Sequence, residues 1–185
     1  MRLTRRYLWY ALPLLMTGIG GIGFYDILRR MRAGTYSAHA LPSPLIGRPP
    51  PDFTLPGLDG KPGFSQSDFI TLQRPLLVNW FASWCAPCRQ EASLLQNLAA
   101  SGIAIWGIAY KDQPMAINAY LQTYGNPYQR LAIDRTGITA INWGVYGVPE
   151  TYFIDKAGIV RLRVAGALND TILKREITPL FKKYS

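Results

Sequence analysis

The feature that most constrains this chain is a pair of cysteines at the junction between an apolar run and a helix-like segment. Cys85 and Cys88 are the only cysteines, and they follow the apolar residues 76–81. A helix that begins here offers unpaired N–H groups and the positive end of its dipole, which stabilise a thiolate at Cys85. Pro87 suits the first turn of such a helix because no N–H is needed there. Cys88 is near enough to Cys85 for the two to form a small disulfide ring. This spacing predicts that the pair exchanges two electrons with other thiols.

Two other uses of a Cys-x-x-Cys pair are less consistent with the sequence. A zinc site needs four ligands, and the only histidine, His39, lies far upstream in a segment rich in Ser, Ala and Pro. Two inert core cysteines fit poorly because Pro87 and the strand-to-helix position favour exposure over packing. We therefore expect no metal and no bound cofactor. The redox-active group is the Cys85–Cys88 pair itself.

The N-terminal residues have the pattern of a membrane anchor. Residues 1–32 hold six arginines against a single aspartate, which is +5 of the formal charge of +9, and these arginines flank an uncharged apolar run from Tyr7 to Tyr25. As a helix this run spans about 28 Å, close to the hydrocarbon thickness of a bilayer. A signal peptide cleaved after Ala38-His39-Ala40 is the less favoured alternative, because three arginines separate that stretch from the apolar run. Arginines that flank an apolar run give little support for nucleic-acid binding.

The composition divides the chain into an anchor (1–32, with its helix at about 7–25), a Pro/Ser/Ala-rich linker (33–46) and a folded domain (47–185). The domain opens with a predicted β-hairpin over residues 53–64. Strands and helices then alternate, and a second hairpin over 151–164 and a final amphipathic helix follow. This order predicts an α/β fold with a central mixed sheet flanked by helices. The cysteines lie at the carboxyl end of its first core strand.

Three stretches resemble thioredoxin-fold oxidoreductases, and more closely the CcmG/DsbE family of membrane-anchored cytochrome c biogenesis proteins. They are Pro51-Asp52-Phe53-Thr54-Leu55-Pro56, Trp84-Cys85-Ala86-Pro87-Cys88-Arg89-Gln90-Glu91, and Gly144-Val145-Tyr146-Gly147-Val148-Pro149-Glu150-Thr151. The last stretch is similar to that family's G-V-Y-G-x-P-E-T signature. Asn79 occupies the position at which thioredoxins carry a buried aspartate and this family usually does not. The resemblance covers roughly residues 47–185 and implies a thioredoxin-like fold with an N-terminal β-hairpin extension and one transmembrane helix.

The resemblance implies that Cys85 is the attacking thiolate and that Cys88 resolves the mixed disulfide. Because Asn79 fills the aspartate position, another group must accept the proton of Cys88 during exchange. Glu150, next to the proline loop, is the favoured candidate, and Glu91, in the active-site helix, is the second. A carboxylate near Cys85 would also raise the pKa of that thiol and oppose the helix dipole. The alternative role of Glu91 is simply that of a favourable acid near a helix N-terminus.

The same resemblance predicts where a substrate binds. Pro149 is expected to be cis, which places the backbone of Val148 beside the sulfurs, where it pairs with an extended chain. Trp84 and Tyr146 are expected to flank the thiols and to offer apolar surface to a peptide. Residues 111–113, Lys111-Asp112-Gln113, have the pattern of an exposed loop, to which we assign no chemistry.

The function that the resemblance implies is a weakly reducing thiol–disulfide oxidoreductase, anchored in the inner membrane by a single span with its catalytic domain in the periplasm. Its substrate would be the disulfide of the apocytochrome c haem-attachment motif, or a haem-handling maturation protein. Its electrons would come from a membrane thiol reductant of the DsbD/CcdA type. One alternative is a general extracytoplasmic reductase of the TlpA/ResA kind. Another class is a copper-delivery or non-catalytic peptide- or haem-docking module, although copper is less favoured because His39 is in the linker and Met115 is the only methionine in the domain.

Overall fold

The computed structural model describes residues 43–184, together with Gly21, Phe24, Tyr25 and Arg29, which are helical. The anchor helix predicted at about 7–25 lies almost entirely outside the described residues. Among those that are described, no helix has the length and apolar character needed to cross a bilayer. The chain divides into two compact units, Met1–Leu41 and Pro42–Ser185.

The strands and helices follow the predicted order. The elements are β1 (Thr54–Leu55), β2 (Phe64–Ser65), α1 (Asp68–Thr71), β3 (Leu76–Phe81), α2 (Ala86–Ala100), β4 (Ala104–Tyr110), α3 (Pro114–Tyr124), β5 (Arg130–Asp134), α4 (Ile138–Trp143), β6 (Glu150–Ile154) and β7 (Val160–Ala165). The described chain ends with α5 (Asp170–Ile172), a π-helical turn (Leu173–Ile177) and α6 (Thr178–Tyr184). Asn169 caps this last segment by accepting a hydrogen bond from the N–H of Ile172 at 3.0 Å.

Five strands form a mixed sheet in the order β5-β4-β3-β6-β7. β3, β4 and β5 are parallel, whereas β6 is antiparallel to both β3 and β7. β1 and β2 pair separately as an antiparallel hairpin. The prediction of a mixed sheet flanked by helices, with an N-terminal hairpin extension, is therefore confirmed. All residues of β3 are buried, which explains why the sequence of this central strand is almost continuously apolar.

Successive residues of each strand point to opposite faces of the sheet and so contribute to two separate cores. On one face, Leu77 and Phe81 of β3 pack with buried residues of α2, α3 and the C-terminal helices. On the other face, Val78 and Trp80 pack with the hairpin, α1 and α4. The active-site helix α2 therefore covers one face only. A side chain on the other face is separated from it by the sheet.

The packed domain begins before the predicted boundary at residue 47. Ser43 and Leu45 are buried. The N–H of Gly47 donates to the carbonyl of Val160 at 2.8 Å, and the N–H of Val160 donates to the carbonyl of Arg48 at 3.0 Å. These hydrogen bonds tie the segment to β7, so the last residues assigned to the linker are part of the fold.

Candidate active site

The two cysteines lie at the start of α2, directly after the central strand β3. Cys85 is the N-cap of α2: its sulfur accepts a hydrogen bond from the N–H of Cys88 at 3.1 Å, where a side-chain oxygen usually caps a helix. The two residues form a disulfide, with their Cα atoms 5.3 Å apart. In this oxidised form both are almost covered, with 3% of Cys85 and 1% of Cys88 exposed. The first turn of α2 directs its N–H groups and the positive end of its dipole at Cys85, the arrangement that stabilises a thiolate.

The loop before β6 brings its backbone to the sulfurs. The Val148–Pro149 peptide bond is cis, as the resemblance implies, and the carbonyl oxygen of Val148 is 3.4 Å from the sulfur of Cys85. Trp84, directly before Cys85, is 57% exposed, and Tyr146, in the proline loop, is 75% exposed. The four residues predicted to bind substrate thus lie in the two segments that border the disulfide, and two of them present aromatic rings to solvent.

One turn along α2 from Cys88, Glu91 belongs to a buried polar network. Its carboxylate accepts hydrogen bonds from the amide of Asn79 at 2.9 Å and from the N–H of Leu168 at 2.6 Å. Asn79 also donates to the hydroxyl of Thr151 at 3.0 Å and accepts from the hydroxyl of Tyr128 at 2.8 Å, which satisfies its whole amide group. Burial raises the pKa of Glu91 to about 7, although its two hydrogen bonds act in the opposite direction.

Glu91 is the carboxylate that the structure brings to the cysteines. It lies three residues after Cys88 on the same buried face of α2, and each of the two residues is only 1% exposed. The hydroxyl of Tyr120 donates to the carbonyl of Cys88 at 3.0 Å, and burial raises the pKa of Tyr120 to about 12, so this hydroxyl stays protonated. A carboxyl group with a pKa near 7 is present in both protonation states at neutral pH, as proton transfer requires.

Glu150, the favoured acceptor from sequence, lies on the opposite face of the sheet. It pairs in register with Trp80, whereas its neighbour Thr151 pairs with Asn79 beneath α2. Because successive strand residues point to opposite faces, the sheet separates the Glu150 carboxylate from Cys88. This placement disfavours Glu150 as the group that receives the proton of Cys88.

The Glu150 carboxylate is instead fully engaged in holding the proline loop. It forms a buried ion pair with Arg163 at 2.7 Å, in which 5% of the arginine side chain and 2% of the glutamate side chain are exposed. It also accepts hydrogen bonds from the N–H of Tyr146 at 2.9 Å and from the hydroxyl of Tyr152 at 3.2 Å. The guanidinium of Arg163 lies 4.8 Å from the centre of the Tyr146 ring. Glu150 and Arg163 therefore fix both the backbone and the ring of Tyr146.

Three residues at or near the site were missed or misplaced by the sequence analysis. Arg163 carried only a weak signal, because it is one of two arginines in β7 and the other, Arg161, lies two residues before it. Leu168 contributes its backbone N–H, which no side-chain pattern reveals. Asp112, assigned to an exposed loop, is only 5% exposed. That assignment is wrong because the carboxylate turns inward and binds the loop that leads to the cysteines.

The described residues include no group of three or more His, Cys, Asp or Glu side chains that could hold a metal ion. His39, on which the zinc and copper alternatives depend, lies outside the described part of the chain. The chemistry that the arrangement offers is that of a dithiol–disulfide pair. It combines a helix N-terminus at one sulfur, a peptide backbone beside it and a buried carboxyl group one helical turn away.

Comparisons with known proteins agree with this geometry. The model of the AhpC/TSA family matches residues 46–163. The chain is 44% identical over 145 residues to the thiol:disulfide interchange protein DsbE of Escherichia coli K12, a match that covers 78% of each chain. It is 37% identical over 170 residues to the thiol:disulfide interchange protein HelX of Rhodobacter capsulatus, covering 91% of this chain and 93% of HelX.

The fold also matches solved structures of related proteins. The structure of MTB DsbF in its mixed oxidised and reduced forms superposes with a TM-score of 0.61 at 28% identity, covering 69% of this chain and 94% of DsbF. The CcmG/DsbE resemblance noted from the sequence is thereby confirmed. The chain belongs to the AhpC/TSA family and, within it, to the DsbE/HelX group of thiol:disulfide interchange proteins.

Proposed function

We propose that this thiol–disulfide oxidoreductase acts as a reductant in cytochrome c maturation, and that its substrate is the disulfide of the apocytochrome c haem-attachment motif or a disulfide of a haem-handling partner. The observation that carries the proposal is the position of Cys85, at the N-terminus of α2 and 3.4 Å from the Val148 carbonyl. An extended chain that lies along the Val148 backbone brings its own disulfide to this sulfur.

The reaction proceeds in two exchanges. The Cys85 thiolate attacks one sulfur of the partner's disulfide, and the other partner sulfur leaves as a thiolate that takes up a proton. Cys88 then attacks the sulfur of Cys85 and releases the partner's second sulfur as a thiol. The partner gains two electrons and two protons, and the protein is left with the Cys85–Cys88 disulfide seen in the structure.

Glu91 is the proposed acceptor for the proton that Cys88 loses in the second exchange. Its position on the buried face of α2 and its pKa of about 7 support this role. The hydrogen bonds from Asn79 and Leu168 hold the carboxylate in place in the oxidised form. The exposed rings of Trp84 and Tyr146 provide apolar contacts for the partner's chain.

We further propose that the reaction runs at the periplasmic face of the inner membrane. The apolar run from Tyr7 to Tyr25 serves as a single span in the inner membrane, with the catalytic domain on the periplasmic side. A membrane thiol reductant of the DsbD/CcdA type returns two electrons to the Cys85–Cys88 disulfide after each cycle. The protein itself needs no cofactor besides this disulfide.

Trapping of mixed disulfides tests the proposal. In Cys88→Ser the second exchange cannot occur, so we expect this variant to accumulate a covalent adduct with an oxidised peptide that carries a Cys-x-x-Cys-His motif. Cys85→Ser, the matched control, lacks the attacking sulfur and should form no adduct. The adducts are counted by mass after acid quenching. If Cys88→Ser trapped a disulfide peptide of unrelated sequence equally well, the result would support the general reductase instead. If Cys88→Ser formed no adduct with either peptide, the result would contradict the proposal.

A further inference from the structure

We infer that Asp112 is a positioning residue for the exchange reaction: it clamps the loop between β3 and α2, and so holds Cys85 in place when the disulfide is open. This inference rests on the thiol–disulfide activity and on no particular partner. No chemistry could be assigned to Asp112 from the sequence, and neither of the two exchange steps uses this residue.

The clamp consists of three hydrogen bonds to one buried carboxylate. One oxygen of Asp112 accepts from the N–H of Ser83 at 2.6 Å, and the other accepts from the Ser83 hydroxyl at 3.0 Å and from the N–H of Gln113 at 2.8 Å. Ser83 is two residues before Cys85, inside a turn closed by a hydrogen bond from the Cys85 N–H to the Ala82 carbonyl at 3.2 Å. The carboxylate therefore holds the turn that places Cys85 at the start of α2.

The backbone turn that follows β4 directs this carboxylate into the protein. Lys111 has a φ of 46°, the left-handed conformation that residues other than glycine adopt infrequently. Its N–H donates to the carbonyl of Asp134 at 2.9 Å, which ties this turn to β5. Because β3 and β4 are adjacent parallel strands, their carboxyl ends lie side by side, and Asp112 is directed across to Ser83.

The chemistry of the clamp requires a group that only accepts hydrogen bonds. All three partners of Asp112 are donors, and an ionised carboxylate has acceptor sites for all of them. The N–H groups of Ser83 and Gln113 donate to different oxygens of Asp112. An asparagine has one oxygen and one NH₂ group, so its NH₂ group would face at least one of these two N–H groups. Asp112→Asn thus keeps the size of the side chain and breaks the clamp.

The two redox states depend on the clamp to different extents. In the oxidised protein, the covalent link from Cys85 to Cys88 ties the loop to α2 even without Asp112. In the dithiol, which is the state that attacks, that link is absent and the loop is held by noncovalent contacts. Without the clamp, the loop of the dithiol can relax, whereas the loop of the disulfide stays constrained and keeps its unpaired donors. Loss of the clamp therefore disfavours the disulfide relative to the dithiol, and it also lets the Cys85 thiolate leave the position from which it attacks.

Asp112→Asn should accordingly show two changes. With full-length protein and dithiothreitol, the equilibrium should shift about threefold toward the protein dithiol, which makes the reduction potential about 14 mV less reducing. The rate at which the reduced protein attacks the oxidised Cys-x-x-Cys-His peptide should also fall, by about tenfold. Ser83→Ala, which loses one of the three hydrogen bonds, should show both changes to a smaller extent, about twofold in rate.

Asp155→Asn is the matched control. Asp155 is also buried, at 2% exposure, and accepts from the N–H groups of Ala157 and Ile159, but it lies in the β6–β7 turn at the opposite end of the sheet. We expect it to lose stability while keeping the rate and the equilibrium of the wild type. Wild-type behaviour of both Asp112→Asn and Ser83→Ala would overturn the inference, as would equal changes in Asp155→Asn. If the wild type does not reduce the peptide, the proposed function fails, but the equilibrium with dithiothreitol still tests the clamp.

Discussion

Asn79 is the neutral centre of the buried polar network that contains Glu91. A neutral amide at this position carries no charge and cannot take up a proton at neutral pH. It instead donates to Glu91 at 2.9 Å and is held by Tyr128 and Thr151. In the part of the chain that the structure describes, the carboxyl group of this network is that of Glu91, and burial raises its pKa to about 7. The proposed acceptor for the Cys88 proton therefore lies on the active-site helix and not on β3.

This raised pKa makes the stability of the oxidised protein depend on pH in a defined direction. The folded state binds the Glu91 proton more tightly than the unfolded state, in which the pKa is close to the ordinary value of 4.5. The contribution of this group is complete below pH 4.5 and is lost as the pH rises through about 7. Over that window the free energy of unfolding should fall by about 3 kcal/mol on account of Glu91.

Urea unfolding of the oxidised protein between pH 4 and 8 measures this effect. We expect Glu91→Gln to lack the fall, so that its stability approaches or exceeds that of the wild type at high pH. Glu150→Gln serves as the control because it removes a buried carboxylate but leaves Glu91 in place, and it should retain the fall. Parallel curves for Glu91→Gln and the wild type would show that Glu91 does not titrate in this range.

The residues that could be predicted from the sequence are those whose roles are local. Cys85 and Cys88 are close in sequence, and Val148 and Pro149 belong to a contiguous signature, so a one-dimensional pattern identifies them. Glu150 differs because its role depends on which face of β6 it occupies. That face is set by the register with β3, where Glu150 pairs with Trp80. A shift of one residue in that register would have placed it beneath α2.

Among the elements, β4 has a glycine at the position where Tyr128 crosses it to reach Asn79. Gly107 pairs with Asn79 across the two parallel strands. A Cβ at Gly107 would lie 2.8 Å from ring carbons of Tyr128. That ring stacks on Phe81 with a centroid distance of 4.8 Å, and its hydroxyl reaches Asn79. Because Gly107 has no side chain, the Tyr128 ring fills the space that a side chain would occupy at this position.

Gly107→Ala should push the Tyr128 ring away from this space and weaken its hydrogen bond to Asn79. We expect a loss of about 1–3 kcal/mol in the free energy of unfolding, as is usual for overpacking in a close-packed core. Gly147→Ala is the comparison, because its added methyl group meets no atom within 4 Å. Both are measured by urea unfolding at one pH. Equal stability of the two variants would mean that the core adapts to the extra carbon without cost.

Most of the elements could be predicted because each has its own signal. The sequence places β3 at Leu76–Phe81, and Asn169 caps the last helical segment as expected. The π-helical turn at Leu173–Ile177 had no such signal. Pro179 follows it, and since proline has no N–H and its ring crowds the carbonyl four residues earlier, at Arg175, a wider turn there relieves the clash. Such a local widening depends on the packing of the whole segment.

At the scale of the molecule, the fold serves to hold one disulfide between three fixed groups. The helix N-terminus faces Cys85, the proline loop is fixed from behind by Glu150 and Arg163, and the carboxyl group of Glu91 lies one turn along α2. The family resemblance predicts the cysteine pair and the proline loop, but it did not reveal the Glu150–Arg163 pair that holds this loop. Without the resemblance, the residues do not predict the direction of electron flow, which depends on the relative stabilities of the dithiol and the disulfide and hence on all the contacts of both states.

The reduction potential of the full-length protein is therefore the most direct test of the central claim that the protein is a reductant. The protein is equilibrated in glutathione and dithiothreitol buffers, its thiols are alkylated, and the reduced fraction is read by mass. We predict a value on the reducing side of this scale, closer to that of thioredoxin, at about −270 mV, than to that of DsbA. A value near that of the oxidant DsbA, at about −120 mV, would mean that the protein inserts disulfides, and it would contradict a role as a reductant in cytochrome c maturation.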